Sequence, residues 1–251
     1  MSVLGADILT LAWPLAVAAS AAGAALAGGT FAPRSSFWGP VLSRAPKGQG
    51  QGVALTFDDG PTPGATDRVL DVLGELGVKA AFFVVGRNVQ RHPMLVERMH
   101  AEGHVVANHT MDHAHFGVFR RQGYWRRQVD DTDETIRQII GRRPALFRPP
   151  MGIKTLHITR AATASGHAIV TWTRRAFDGV ATSPDRIVQR LGPTSGLGDI
   201  LLLHDGVEPH ATRRDPSATV AALRPLVESL RRRNLEPRPL DEMLGVRAYQ
   251  S

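Results

Sequence analysis

From residue 53 onward, short apolar runs alternate with amphipathic stretches in a regular order. Val53-Ala54-Leu55-Thr56-Phe57 is stopped by Asp58-Asp59-Gly60-Pro61, the mark of a buried strand ending at a turn. Thr66 to Leu76 carries Val69, Leu70, Leu73 and Leu76 at helical spacing, and Gly77 closes it. Strand-like runs recur over Ala80 to Val85, Val105 to Ala107, Leu146 to Arg148, His167 to Thr173 and Ile200 to Leu203. Helical patterns fall between and after them, over Met94 to Glu102, Tyr124 to Ile140, Thr155 to Ser165, Pro184 to Leu191 and Ser217 to Arg232. Strands alternating with helices predict an α/β protein with one parallel sheet, open or closed into a barrel. No repeat of solenoid period interrupts the pattern.

The amino-terminal stretch is different. No charge occurs from Ile8 to Pro33, and Ala, Leu and Gly dominate. Its length suffices to span a bilayer, which needs about 20 apolar residues. Three readings fit: an uncleaved membrane anchor, a leader cleaved near Ala25-Leu26-Ala27, and an Ala-rich helix packed on the domain. Residues 1–7 contain no Lys or Arg, against a leader, whereas Arg34, Arg44 and Lys47 follow the span and bear on sidedness. The expected organisation is a hydrophobic anchor or leader over 1–33, a Pro- and Gly-rich linker over 34–51, a catalytic domain over 52–245 and a tail over 246–251. A membrane-associated protein of the bacterial cell envelope is the corresponding expectation.

Composition narrows the chemistry. The 251 residues include no cysteine, which excludes disulfide frameworks, thiolate metal sites and cysteine nucleophiles. Charged residues make up 21% and apolar ones 43%, so the chain folds rather than remaining disordered. The net charge of +7 comes almost wholly from arginines, which are scattered. The densest run, Arg231-Arg232-Arg233, closes a predicted helix and suits its dipole. Without interleaved aromatic residues it gives no reason to expect a nucleic-acid partner.

Asp58, His109, Arg148, Asp178 and His204 all fall at or just beyond the carboxyl ends of predicted strands, the edge where α/β proteins build their sites. Asp58 and Asp59 are neighbours; on a strand they would point to opposite faces, one free to ligate a metal and the other to act as a base. The pair also suits an Asx turn before Gly60-Pro61. His109 and His113, four apart, would share one face of a helical turn and suit two ligands of a zinc ion. His115 lies close to that pair at a poorer spacing, and the remaining histidines, His167 and His210 among them, read as structural or exposed. Arg148 precedes a stiff Pro149-Pro150 pair and is either an ordinary salt-bridge partner or the orienter of a carboxylate. His204, after Leu201-Leu202-Leu203, is placed as a general acid or as a satisfied edge histidine.

Taken in order, Thr56-Phe57-Asp58-Asp59-Gly60-Pro61, His109-Thr110-Met111-Asp112-His113, Arg148-Pro149-Pro150-Met151-Gly152 and Leu202-Leu203-His204-Asp205 resemble the motifs of the polysaccharide deacetylase family, the NodB-homology group of carbohydrate esterase family 4. The resemblance covers roughly residues 50–245. It implies a distorted, incomplete (β/α) barrel, here preceded by a hydrophobic helix, and hydrolysis of acetyl groups on a glycan or glycolipid with a divalent metal, usually zinc. By position, Asp59, His109 and His113 would hold the metal. Asp58 would be the base, His204 the acid, and Arg148 would steer Asp58. Pro149, Met151 and Leu202 would line the acyl and oxyanion region, with the Met151 amide at the oxyanion and a methionine where the family usually has an aromatic residue.

One stretch departs from the pattern. The family commonly shows Trp-x-x-Asp-x-x-Asp-Trp, whereas this chain reads Trp172-Thr173-Arg174-Arg175-Ala176-Phe177-Asp178-Gly179. Asp178 survives and would tune His204; Arg175 and Gly179 replace an acid and a pocket-wall tryptophan. A looser acyl pocket is therefore expected.

Overall fold

The computed structural model describes every residue except 1–3, 47, 49–50, 115–116, 118 and 208–215, and backbone alone for 4–16. His115 and His210 therefore lie outside the described residues. After helix α1 (Leu4–Phe31), the chain runs β1 (Ala54–Asp58), α2 (Thr66–Leu76), β2 (Ala81–Val84), α3 (Gly86–Arg91), α4 (Pro93–Ala101) and β3 (Val105–Asn108). It continues with α5 (Gln122–Ile140), β4 (Leu146–Phe147), a 3-10 turn at Pro150–Gly152, α6 (Leu156–Ala164), β5 (Ala168–Ile169) and β6 (Arg174–Arg175). α7 (Pro184–Leu191), β7 (Ile200–His204), α8 (Ser217–Arg231) and α9 (Leu240–Leu244) complete it.

The seven strands pair in the order β5-β4-β3-β2-β1-β7-β6, every pair parallel. β5 and β6 follow each other in sequence yet occupy opposite edges. The link from Ile169 to Arg174 reaches at most about 17 Å, whereas seven strands laid flat span about 29 Å. The sheet must therefore curl into an incomplete barrel, as the family resemblance led one to expect.

Alternation along β1 sorts the core. Leu55 and Phe57 join the apolar layer between sheet and outer helices, with Val69, Leu73, Leu226 and Leu230. Ala54 turns to the concave side, with Phe83, Trp172, Leu202 and Leu240. Thr56 and Asp58 share that inner side by period-2 geometry.

The segment read as a linker is packed against the domain. Leu42 bridges Val170 beyond one sheet edge, and Arg44 bridges Asp199 ahead of β7, so the segment crosses the seam of the open barrel. α1 is helical over most of the uncharged stretch. Among the described residues, however, no helix is long and apolar enough to cross a membrane. The anchor expected over 1–33 finds no support among these residues, and the Ile, Leu and Trp side chains of residues 8–15 lie outside them. The strand expected over 167–173 shrinks to two residues, since beyond Ile169 the chain turns to cross the seam. Arg231 and Arg233 bond to Glu236 and to the carbonyls of Leu76, Gly192 and Ser195, a structural use of the arginine run.

Candidate active site and metal centre

Four strand ends meet at the carboxyl rim. Asp58 ends β1, His109 follows β3, Arg148 follows β4 and His204 ends β7. Register puts Asp58 level with His204 across the β1–β7 pair, and Thr56 level with Leu202.

Asp59 leaves the strand with a left-handed φ of 75°. That turn brings its carboxylate round beside Asp58 instead of sending it to the opposite face, contrary to the strand-based expectation. Asp59 Oδ1 is 3.6 Å and Asp58 Oδ2 3.7 Å from His109 Nε2, and His113 Nε2 is 3.3 Å from Asp59 Oδ1. Asn88, on α3, clamps the turn by donating to the Asp59 carbonyl at 2.8 Å.

His109 and His113 sit on a loop after β3, not on a helical turn. They converge because Thr110 (φ 71°) and His113 (φ 51°) take left-handed backbone conformations, unusual for residues with a Cβ. Asn108 holds that loop: its Oδ1 accepts the Thr110 N–H at 2.8 Å, and its Nδ2 donates to Val129 O and to Asp133 Oδ1. The same Asp133 oxygen meets His167 Nε2 at 3.1 Å, and its other oxygen accepts from Arg143.

Ligand atoms of Asp59, His109 and His113 all lie within 4.8 Å of one another, and all three side chains are buried. His109 Nδ1 is 2.7 Å from the Arg148 carbonyl. A proton on Nδ1 leaves Nε2 as a lone-pair donor directed at the carboxylates, the usual outer hydrogen bond of a metal-ligating imidazole. One carboxylate and two imidazoles are a donor set that suits zinc and other divalent ions. The residues present therefore fit a divalent cation. Without a cation, protonated His109 and His113 would stand in its place beside Asp59: burial raises the Asp59 carboxyl, but the His109 hydrogen bond and the charges of His113, His204 and His109 outweigh it and hold it well below the usual carboxylate range.

Arg148 is fully buried. Its Nη1 donates to Asp58 Oδ1 at 2.6 Å and to Thr56 Oγ1 at 2.9 Å; Nε and Nη2 donate to the carbonyls of Val170 and Thr171. Its guanidinium carbon lies 3.9 Å from the centre of the Phe83 ring. Burial pulls its pKa down and Asp58 pulls it back. The pair fixes one oxygen of Asp58 and leaves the other toward His109.

His204 Nδ1 is 2.8 Å from Asp178 Oδ1, and its backbone N–H donates to Asp178 Oδ2. Thr219 Oγ1 donates to that second oxygen at 2.8 Å. Burial lowers the His204 pKa, but the Asp178 carboxylate overrides it, and the imidazole is raised to about 9. Asp178 is correspondingly held below the ordinary carboxylate range, despite burial, by His204. His204 is thus an imidazolium at neutral pH with Nε2 as its free proton.

Met151 occupies a left-handed conformation (φ 55°, ψ 9°) in the turn after Pro149, and its side chain is 46% exposed. Such a backbone costs about 1–2 kcal/mol for a non-glycine residue. Gly152 continues the turn at φ 69°, with Trp172 packed where a Cβ would stand. Leu202, two residues before His204, lies on the same concave face. Arg175 stacks on Phe177, its guanidinium carbon 3.9 Å from the ring centre, and the guanidinium carbon of Arg190 lies 5.3 Å from the same centre.

The resemblance in sequence can now be set against known proteins. The polysaccharide deacetylase family profile matches residues 45–170. A chitooligosaccharide deacetylase of Bradyrhizobium sp. (strain ANU 289) is 39% identical over 199 residues, spanning 76% of this chain and 90% of that protein. The chain belongs to the polysaccharide deacetylase family. A peptidoglycan-N-acetylglucosamine deacetylase of Bacillus cereus is 33% identical over 194 residues, covering 76% of this chain and 87% of that one. The crystal structure of the Bc1960 peptidoglycan N-acetylglucosamine deacetylase, bound to a hydroxamate-bearing benzamide, superposes with a TM-score of 0.76 at 29% identity, over 84% of this chain and 95% of that chain. A family 4 carbohydrate esterase from Streptomyces lividans, in complex with acetate, gives 0.69 at 28% identity, over 80% and 98%. This polysaccharide deacetylase is accordingly a hydrolase.

Thr56, Asn88, Asn108 and Asp133 support the site and were missed in the sequence. Asn108 carried a legible signal: a buried amide at a strand end immediately before a ligand histidine.

Proposed function

We propose that the chain is a divalent-metal-dependent N-deacetylase that releases acetate from glycans containing N-acetylhexosamine. The observation that carries this reading is the meeting of Asp59, His109 and His113 within 4.8 Å, beside an Asp58 whose one oxygen is fixed by Arg148 and whose other faces His109.

A divalent cation held by Asp59, His109 and His113 would polarise the acyl carbonyl and acidify the attacking water. Asp58 takes the water proton on Oδ2, while Arg148, bonded to Oδ1, holds the carboxylate in its rotamer. The Met151 backbone N–H helps to hold the carbonyl oxygen as it gains charge. Pro149 and Leu202 shape the acyl pocket, which Gly179 leaves more open than a tryptophan there would. An amine departs poorly unless protonated, and His204 delivers its Nε2 proton as the C–N bond breaks. Asp178 keeps that imidazole charged. Zinc is the expected ion, and work in the cell envelope is the corresponding location.

The Asp178-held imidazolium also bears on the alternative of O-deacetylation, whose alkoxide leaving group has less need of a strong proton donor. A purely carbohydrate-binding relative has no use for the Asp58–Arg148 pair. The test is acetate release by zinc-loaded protein from N-acetylglucosamine oligomers and from peptidoglycan fragments, with a chelator control. Release abolished by chelation supports the reading. Release from acetyl esters alone, or release unaffected by complete metal removal, overturns it.

A further inference from the structure

Lys154 is buried, at 1% exposure, and among the described residues no carboxylate pairs with it. Its ammonium instead donates to three carbonyls: Ala32 at 2.8 Å, Pro33 at 3.3 Å and Gly152 at 3.3 Å. Its backbone N–H adds a bond to Thr30 O at 3.1 Å. The first two carbonyls belong to the chain leaving α1, where carbonyl ends carry the negative pole of the helix dipole. The third belongs to the turn that bears Met151. One ammonium therefore joins the end of α1 to the left-handed turn of the active site.

Other contacts tighten this junction. Thr171 Oγ1 donates to Pro33 O at 2.9 Å, and Trp38 Nε1 donates to Thr30 Oγ1 at 3.1 Å. Gly29 is buried against the Phe37 ring, with no room for a Cβ. On the other side, Gly152 rests on the Trp172 indole, whose ring also faces Arg148. Residues 29–44 lie outside the stretch matched by the family profile, yet they brace its active-site turn. A strained turn persists only where its surroundings over-determine it, and the residues that do so here are Lys154, Trp172 and the end of α1.

We propose that Lys154 is a positioning residue for the deacetylation: its ammonium latches residues 30–33 to the Met151–Gly152 turn and so holds the Met151 amide in place. Lys154 touches neither substrate nor metal. Its influence is on geometry at the turn, where a displacement of about 1 Å can cost up to about a hundredfold in rate.

The test uses the full chain and two readouts. Hydrogen exchange is followed at the Gly152 and Ile153 amides, which bond to Pro149 O and Pro150 O. In parallel, kcat, KM and zinc affinity are measured. Lys154→Met is expected to speed exchange at those two amides about tenfold and to lower kcat about tenfold, with KM and zinc affinity within about twofold. Lys154→Arg, which keeps the charge, restores part of both. Thr171→Val, which loses only the bond to Pro33, gives a smaller change of the same sign, about two- to threefold, and adds nothing on top of Lys154→Met. Should Lys154→Met fail to fold, Thr171→Val carries both readouts alone. Parental exchange at the two amides overturns the latch, as does faster exchange spread evenly over the domain, or an unchanged kcat. The kinetic arm rests on the deacetylase reading; a parent that releases no acetate refutes that reading, while the exchange arm still decides the latch.

Discussion

His104 and His204 are imidazoles at opposite ends of one sheet, the first buried and the second half-buried, and their protons behave in opposite ways. His104 precedes β3 at the amino rim; its Nδ1 accepts the Ala80 N–H at 3.1 Å, and the ring packs edge-on against Phe82. Burial, reinforced by Lys79, drives its pKa down to about 4, and Glu102 at 3.7 Å offsets little. Desolvation also pulls His204 down, yet Asp178 at 2.8 Å lifts it to about 9. What separates these two rings is the carboxylate of Asp178 against His204, and Asp58, Asp59 and Asp178 gather at the carboxyl rim.

The largest test of this contrast lies at the metal corner. His109→Ala or His113→Ala is expected to weaken zinc binding by at least about a hundredfold and to abolish turnover, read by calorimetry and acetate release. Next comes the acid. His204→Gln should lower kcat by about 10²–10³ with zinc retained. Asp178→Asn removes the cause of the raised pKa, so the alkaline limb of kcat moves to lower pH; a cation held beside Asp58 and Asp59 would offset their charge and draw that limb below 9. For stability the signs are fixed: the contribution of His204 is complete below pH about 6.5 and is lost as pH rises through about 9, while that of the depressed Asp178 is lost in acid below the ordinary carboxylate range.

A smaller effect is expected one step back from the ligands. Asn108→Ala frees the Thr110 N–H and removes one donor from Asp133 Oδ1, and should weaken zinc about tenfold. The smallest effect on rate is expected at the amino rim. His104→Gln should leave kcat within about twofold while lowering stability by about 1–3 kcal/mol, as expected when a buried hydrogen-bonded group is disturbed. The parent loses stability as pH falls from about 6.5 toward 4, because the unfolded imidazole takes a proton that the folded one refuses. His104→Gln should flatten that slope in melting experiments, whereas a loss of turnover equal to that of His204→Gln would break the comparison.

Much of this was readable from the chain. Alternating runs located six of the strands and most of the long helices, because burial on both faces leaves continuous apolar segments. β6 escaped because both its residues are arginines on an edge strand, and α3 and α9 because helices of five or six residues are too short to show periodicity. The site residues were legible as types but not as geometry. Asp58 and Asp59 do not take opposite faces, and His109 and His113 do not share a helix. Left-handed turns at Asp59, Thr110 and His113 bring them together, and no spacing rule encodes such turns at residues with a Cβ. The packing of residues 29–44 across the barrel seam was not legible, because it depends on Leu42, Arg44 and Lys154, which are far apart in sequence.

Asp58 and Asp59 are proposed to divide the labour, one moving the proton and the other holding the metal, and zinc affinity and acetate release measured on Asp58→Asn and Asp59→Asn side by side separate the two roles. Asp59→Asn is expected to lose both the metal and the reaction. Asp58→Asn is expected to bind zinc within about threefold of the parent yet turn over at least about 10³-fold more slowly. Parental turnover by Asp58→Asn, or equal loss of metal from both variants, would contradict that division.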